Sequence, residues 1–240
     1  VGWKDVAQLL AETGSVLAFL AGMLVVGFVA DQAGVFSWLA YHAARLSKGS
    51  GRRLYVGLYA IGVLVTIWFS LDTTAVILAP LVYNLVRALN VSPLPFIFAT
   101  VYVANTASLL LPVSNLTNLI IWNKFDIPFW HYAKVMALPA LVAIVLNLLL
   151  FLWYFRRDIP ARFSTADLAA RPEAAGEPLN GFIAPMPTKR LVRCQYILAG
   201  ILIGLSTAPF FDWEIWIVAC VGALILAGLE ITNRDLRPKQ

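Results

Sequence analysis

Two short polar stretches stand inside an otherwise apolar chain, and they hold the side chains best suited to chemistry. The first is Ser70-Leu71-Asp72-Thr73-Thr74, where Asp72 is the one charge between residues 54 and 86. An ionisable group flanked by long apolar runs is costly in lipid, so by default it marks a transport path or a proton relay. A tip near mid-membrane would give Asp72 reason to titrate and carry a proton. The alternative is a wet turn at the far interface, with Asp72 capping a helix that starts at Thr73. The second stretch holds Asn105, Thr106, Ser108, Ser114, Asn115, Thr117 and Asn118 around Pro112, in a segment with no charge from residue 88 to 123. Lone amides and hydroxyls on a membrane helix often bind helices together. Seven of them around a proline point instead to an unwound span lining a cavity, the usual form of a midplane solute site.

The elements that must position these stretches follow from composition. Sixty per cent of the chain is hydrophobic and 13% is charged, against roughly a quarter charged in ordinary soluble domains. A bundle of spans fits, each needing about 20 apolar residues. Residues 15–30 form an apolar run that residues 6–12 could extend. Residues 35–47 alternate apolar positions with His42 and Arg45 at helical spacing and read as a helix lying in the interface. Residues 49–53 form a basic turn. Residues 54–86 would make one helix about 50 Å long, too much for a hydrocarbon layer of about 30 Å. They must turn back at residues 70–74, the one polar place to do so. Pro112 removes a backbone donor and crowds the preceding turn, so residues 93–109 and 115–122 read as two half-helices. The second then starts at Ser114 and Asn115, with its positive end toward the break. Residues 129–155 form a span with a kink expected at Pro139. Residues 195–208 and 215–229 form another pair, and Gly200 and Gly204 at GxxxG spacing suggest close packing there.

The basic residues fix an orientation. Arg45, Lys48, Arg52, Arg53, Arg87, Arg156, Arg157, Lys189, Arg190 and Arg234 fall on one side when residues 54–86 return to their own side. That side is the cytoplasmic one of a multi-pass inner (plasma) membrane protein. The net charge of +5 comes from these short clusters rather than a continuous basic face, so no nucleic-acid partner is expected. Cys194 and Cys220 are too few for a thiolate metal site. The chain carries no phosphate-binding glycine loop, HExxH or GxSxG motif. An enzyme is therefore disfavoured, and no cofactor or metal is expected beyond a coupling ion, H+ or Na+. His42 and His131 sit at membrane edges as anchors, and the sequons at Asn90 and Asn115 fall where no glycosylation would reach them.

The stretches FSLDTTAVILAP (residues 69–80) and NTASLLLPVSNLTN (residues 105–118) resemble the two signature segments of the arsenite efflux permease family. That family lies in the ion transporter superfamily, beside sodium/proton antiporters and sodium–dicarboxylate symporters. The resemblance implies an all-α polytopic fold with inverted repeats, each holding a re-entrant hairpin and a broken transmembrane helix. It divides the chain into a first repeat (residues 1–160), a cytoplasmic linker (161–193) and the first two spans of a second repeat (194–240). Within the first repeat lie the interfacial helix (35–47), the hairpin (54–88), the broken helix (93–123) and a span (129–155). The missing C-terminal repeat would be the partner of this half, with a homodimer as the alternative. The implied substrate is a small oxyanion or metalloid hydroxide, arsenite or antimonite, held by Ser70, Thr73, Asn105, Thr106, Ser114, Asn115 and Asn118. Asp72 would couple the proton or cation. The family tip reads Asn-Asp-Gly where this chain has Leu71-Asp72-Thr73, so the acid is kept and its amide neighbour is lost. The rival functions are a sodium-coupled dicarboxylate or inorganic-anion symporter and a non-transporting membrane scaffold.

Parity yields a test of the topology. With Arg53 and Arg87 on one face and the tip inside the bilayer, a single cysteine at Thr73 is expected to resist impermeant external thiol reagents. Rapid external labelling would make residues 54–86 two ordinary spans.

Overall fold

The structure is a computed structural model that describes residues 3–125, 127–164, 188–211 and 213–235; for residues 3–13 and 230–235 only the helical backbone is described. Every regular element among them is helical. Five stretches are long and apolar enough to cross a membrane, and residues 94–107 and 215–229 form shorter apolar helices. The all-α, multi-span architecture expected from hydropathy is what the chain adopts.

Helix α1 spans Trp3–Gln32 and so includes the expected extension toward the N-terminus. Gly34, at φ 84°, turns the chain into α2, Val35–Leu46. Lys48 (φ 50°) and Gly49 (φ 78°) close α2 in the left-handed region. Ser50 then caps α3, Gly51–Phe69, by accepting the Arg53 N–H at 3.4 Å. The basic turn expected at residues 49–53 is thus the first turn of α3 in its second half. The chain breaks at Ser70 and resumes as α4, Leu71–Thr73, followed by a π-helical turn at Thr74–Leu78 and α5, Ala79–Ala88. Within that π turn the Ala79 N–H bonds the carbonyl of Thr74, five residues back. The wider turn falls where Pro80 would clash in a regular α-helix. Asn90, at φ 55°, ends α5, and the Val91 N–H reaches back to Val86 at 2.9 Å.

Helix α6 (Leu94–Ala107) and α7 (Leu116–Lys124) are the two halves of the broken span, separated by a 3-10 turn at Pro112–Ser114. Helix α8 runs from Phe129 to Tyr154 as one helix that includes Pro139. Most of its surface is exposed and apolar, as a lipid-facing helix requires. The linker residues 165–187 lie outside the described residues. Helix α9 (Lys189–Thr207) starts inside the region assigned to the linker, and α10 (Ile215–Asp235) is the last described element.

Small residues set the close approaches. Helix α1 packs chiefly on α10, where a Cβ on Gly22 would lie 3.0 Å from the Ala219 backbone. The Cys220 thiol there contacts the Ala18 carbonyl at 3.4 Å. In the expected GxxxG pair, Gly204 faces Val218, but a Cβ on Gly200 would meet no other described element within 4 Å; Gly222, packed under Ile201, is the second close point. The core around the two polar stretches is built by α3, α6 and α8. Helix α6 lies along α3 so closely that a Cβ on Gly62 would stand 2.6 Å from Val103 Cγ1. Tyr102 and Phe151 meet edge to face at 5.0 Å between α6 and α8.

The arms of the hairpin are 19 and 18 residues long, about 28 and 27 Å at 1.5 Å per residue. Thr73 is only 2% exposed whereas Asp72 is on the surface. A cysteine at position 73 therefore reports packing as well as depth, and position 72 is where an impermeant reagent discriminates, in a background with Cys194 and Cys220 replaced by serine. A second expectation concerns Gly62. Val103 is β-branched and stiff, so Gly62→Ala should cost about 1–3 kcal/mol. Val103→Ala on top of it should recover most of that loss in thermal unfolding in detergent.

Candidate functional site

The tip forms because the backbone reverses at Ser70, whose φ of 102° is a conformation L residues rarely adopt. Residues eight apart in a continuous helix are separated by about 12 Å along its axis. Here the hydroxyls of Thr66 and Thr74 lie 2.8 Å apart. The reversal is held by local bonds. Ser70 donates its N–H to Thr66 O at 3.2 Å, and its own carbonyl accepts the Thr74 N–H at 3.3 Å. Its hydroxyl accepts the Thr73 N–H at 3.5 Å, and Thr73 Oγ1 donates to Phe69 O at 3.0 Å. The helix cap at the tip is therefore Ser70. Asp72 does not fill that place; it sits in the first turn of the next helix, exposed. Gly27 on α1 lets the tip dock, since a Cβ there would press on Thr73 at 3.3 Å.

The broken span closes its backbone in the same way. Ser108 Oγ donates to Asn105 O at 2.9 Å, and Asn118 Nδ2 donates to Ser108 O at 2.9 Å. Tyr132 on α8 reaches the Leu109 carbonyl at 3.5 Å. Asn115 is extended (φ −148°) and caps α7 by accepting the Thr117 N–H at 3.0 Å. Ser114, fully buried, lies in the 3-10 turn rather than at the start of α7.

One hydrogen bond joins the two breaks. Ser114 Oγ donates to the carbonyl of Ile67 at 2.6 Å, across 47 residues of sequence. Ile67 is in the last turn of α3, whose carbonyls lose their helical partners at Ser70. The broken span thus closes the end of the hairpin arm, and the two stretches expected to form one site are in contact.

Not all predicted site residues are equally placed. Ser70, Thr73 and Ser114 are buried and engaged with backbone. Thr106, Asn115 and Asn118 are half-buried, and Asn105 is exposed with its Nδ2 on Val101 O at 3.2 Å. Thr106 donates to Tyr102 O at 3.1 Å and accepts from Asn147 Nδ2 at 3.4 Å. Asn147 on α8 and Tyr59 on α3 are additions the sequence reading missed. The Tyr59 hydroxyl donates to Ile144 O at 2.8 Å, one turn of α8 before Asn147. Asn147 had a usable signal, being the one amide in a 26-residue apolar span. Tyr59 had none, because tyrosines also fill ordinary cores. Among the described residues no group of three His, Cys, Asp or Glu side chains could hold a metal ion.

The bond between the breaks is open to direct test. Ser114→Ala leaves the Ile67 carbonyl buried without its donor, an expected loss of about 1–3 kcal/mol, read as a lower midpoint in thermal unfolding. An unchanged midpoint would show that this carbonyl finds another donor.

Residues 7–236 match the family model described as citrate transporter. The chain is 35% identical over 212 residues to the arsenical pump membrane protein of Escherichia coli K12, covering 87% of this chain and 47% of that protein. A second Escherichia coli arsenical pump membrane protein is 32% identical over 98% of this chain and 56% of its own length. One from Yersinia enterocolitica is 31% identical over 87% and 47%. The chain spans about half the length of the curated relatives it matches. No solved structure matches. With its multi-span helical fold and its two joined breaks, the chain belongs to the citrate transporter family of membrane carriers and is similar within it to the arsenical pump membrane proteins.

Proposed function

We propose that this chain supplies one half-site of a secondary carrier that exports a small neutral metalloid hydroxide, arsenite or antimonite, in exchange for protons. The observation that carries the proposal is the composition of the joined breaks. They present amides and hydroxyls, with one carboxylate and no lysine or arginine. Several of these side chains have one valence fixed on backbone and another left over. Asn115 uses its oxygen and keeps its NH2 group, whereas Asn118 and Asn105 use their NH2 groups and keep an oxygen. Such a mixed set of fixed donors and acceptors suits a neutral trihydroxyl solute. Asp72, exposed beside the tip, is the proposed proton carrier. Similarity to several arsenical pump membrane proteins supports the substrate class.

A second reading, a sodium-coupled carrier of a dicarboxylate or inorganic anion, is favoured by the description of the matching family. A multiply charged anion would need countercharge, which this half-site lacks and the opposite half would have to provide. A non-transporting scaffold is the reading from another class. In the proposed arrangement a second half-site, supplied by sequence outside these 240 residues and not by a second copy, faces this one, and the 240-residue chain alone in proteoliposomes carries out no arsenite flux. Saturable flux would overturn that part.

The decisive experiment expresses this chain together with the sequence that supplies the second half-site, in a bacterium stripped of its own arsenite exporters, and follows arsenite uptake into everted vesicles under an imposed pH gradient. Resistance together with proton-driven uptake is expected. Asp72→Asn should abolish the pH-driven component at unchanged protein level, and Asp72→Glu should retain part of it. Sodium-driven citrate uptake without arsenite transport would establish the second reading instead. Full coupling in Asp72→Ala would remove this residue from the mechanism.

A further inference from the structure

Far along α3 from the tip, α2 and the first turns of α3 enclose a groove of about 740 Å³. Two guanidinium groups, Arg52 and Arg53, stand at its mouth, and both are exposed. No described carboxylate pairs with either of them. The walls below are mostly apolar, the exception being His42, whose Nδ1 lies 2.8 Å from the Trp38 carbonyl of its own helix. Leu39 and Leu46 come from α2, and Val56 and Ile61 from α3. Arg53, Gly57 and Ile61 follow at intervals of four, so the groove runs about 12 Å down one face of α3. Ala43 meets α3 at Gly57, where a Cβ would stand 3.3 Å from the Ala43 Cβ, and this contact forms the floor. The neighbouring hydroxyls are already engaged: Ser47 donates to Ala44 O at 2.6 Å, and Ser50 accepts from Arg53 N. What remains free at the mouth is positive charge.

We propose that this groove binds an anionic phospholipid of the cytoplasmic leaflet, with its phosphate on Arg52 and Arg53 and one acyl chain along Val56, Ile61 and Leu46. Arginine forks match phosphate oxygens in pairs. Basic pockets between transmembrane helices on the cytoplasmic side are suited to anionic head groups. The combination excludes a soluble anion, which would have no use for an apolar trough. It also excludes a zwitterionic lipid as the preferred guest, because the choline charge would oppose the paired arginines. Leu46, 74% exposed beside this mouth, is explained by a chain lying over it. On the other side of Arg52 a second groove of about 440 Å³ has the same design, with Arg156 over the Trp153 ring at 5.6 Å above Leu149 and Leu152. Bound lipid at the first groove would fix α2 against α3, and so fix the arm that ends at the tip.

The test uses the chain purified in a mild detergent, with bound lipid counted by native mass spectrometry. Phosphatidylglycerol and phosphatidylcholine with identical acyl chains are titrated separately, and inorganic phosphate is added as a competitor. Phosphatidylglycerol is expected to bind preferentially and to resist millimolar phosphate. The double change Arg52→Gln/Arg53→Gln should weaken its binding by about 30-fold, with phosphatidylcholine binding unchanged. Arg87→Gln, outside the groove, should leave it intact. Val56→Trp fills the trough without touching charge and should weaken phosphatidylglycerol as well; circular dichroism and gel filtration confirm that each variant is folded. Equal binding of the two lipids, full displacement by inorganic phosphate, or unaltered binding in the arginine or Val56→Trp variants would overturn the proposal. So would a dimer mass appearing in place of lipid adducts.

Discussion

The bilayer tolerates a broken helix only when freed backbone groups find partners inside the protein, and the bond from Ser114 to the Ile67 carbonyl meets that need at one break with a side chain from the other. The last turn of α3 loses its helical acceptor pattern at Ser70, and the span after it loses its own between Ala107 and Leu116. Placed apart in hydrocarbon, each break would cost several kcal/mol per unsatisfied group. Placed together, one break supplies a hydroxyl where the other exposes a carbonyl. The remaining features of this region serve that juxtaposition. Gly62 lets α6 lie against α3, Gly27 lets α1 lie against Thr73, and Tyr132 of α8 reaches Leu109 across the break.

Much of this was legible in the sequence because the bilayer simplifies the signal. Helices must be apolar and of limited length, so a 33-residue apolar stretch with one polar interruption had to turn at that interruption. Pro112 and the amides around it located the second break equally well. The fine structure of the tip was less accessible. Sequence favours Asp as a cap, and Asp72 preceded the inferred helix start. The chain instead places Ser70 at a positive φ, which moves the cap two residues earlier and turns Asp72 outward. Nothing in the residue types signals that conformation, because serine is neither glycine nor asparagine.

Long-range packing was the other limit. Hydropathy shows that α1 and α10 are spans but not that they touch, since lipid-facing and helix-facing apolar residues look alike. Gly22 against Ala219 joins positions almost 200 residues apart. The family resemblance assigned these helices to different repeats, and in the fold they pack on each other. The Tyr59, Thr106 and Asn147 cluster was hidden similarly. Thr106 was visible as part of a polar run, but its side-chain partner Asn147 comes from α8, and Tyr59 of α3 bonds the same helix at Ile144.

The side chains that close the breaks are also those proposed to meet the solute, and this overlap limits what substitution at them can reveal. Removing Ser70, Thr73, Ser114 or Asn118 deletes a bond to the backbone, so a variant could lose transport because the break has collapsed. Asn105 and Asn115 each hold one backbone group as well. Asp72 differs from all of these. It is exposed at the tip, and among the described residues it closes no backbone group. A conservative change there alters charge and little else, so a transport defect at this position can be assigned to chemistry rather than to folding. Asp72 is therefore the position where the proposed coupling can be tested apart from the fold.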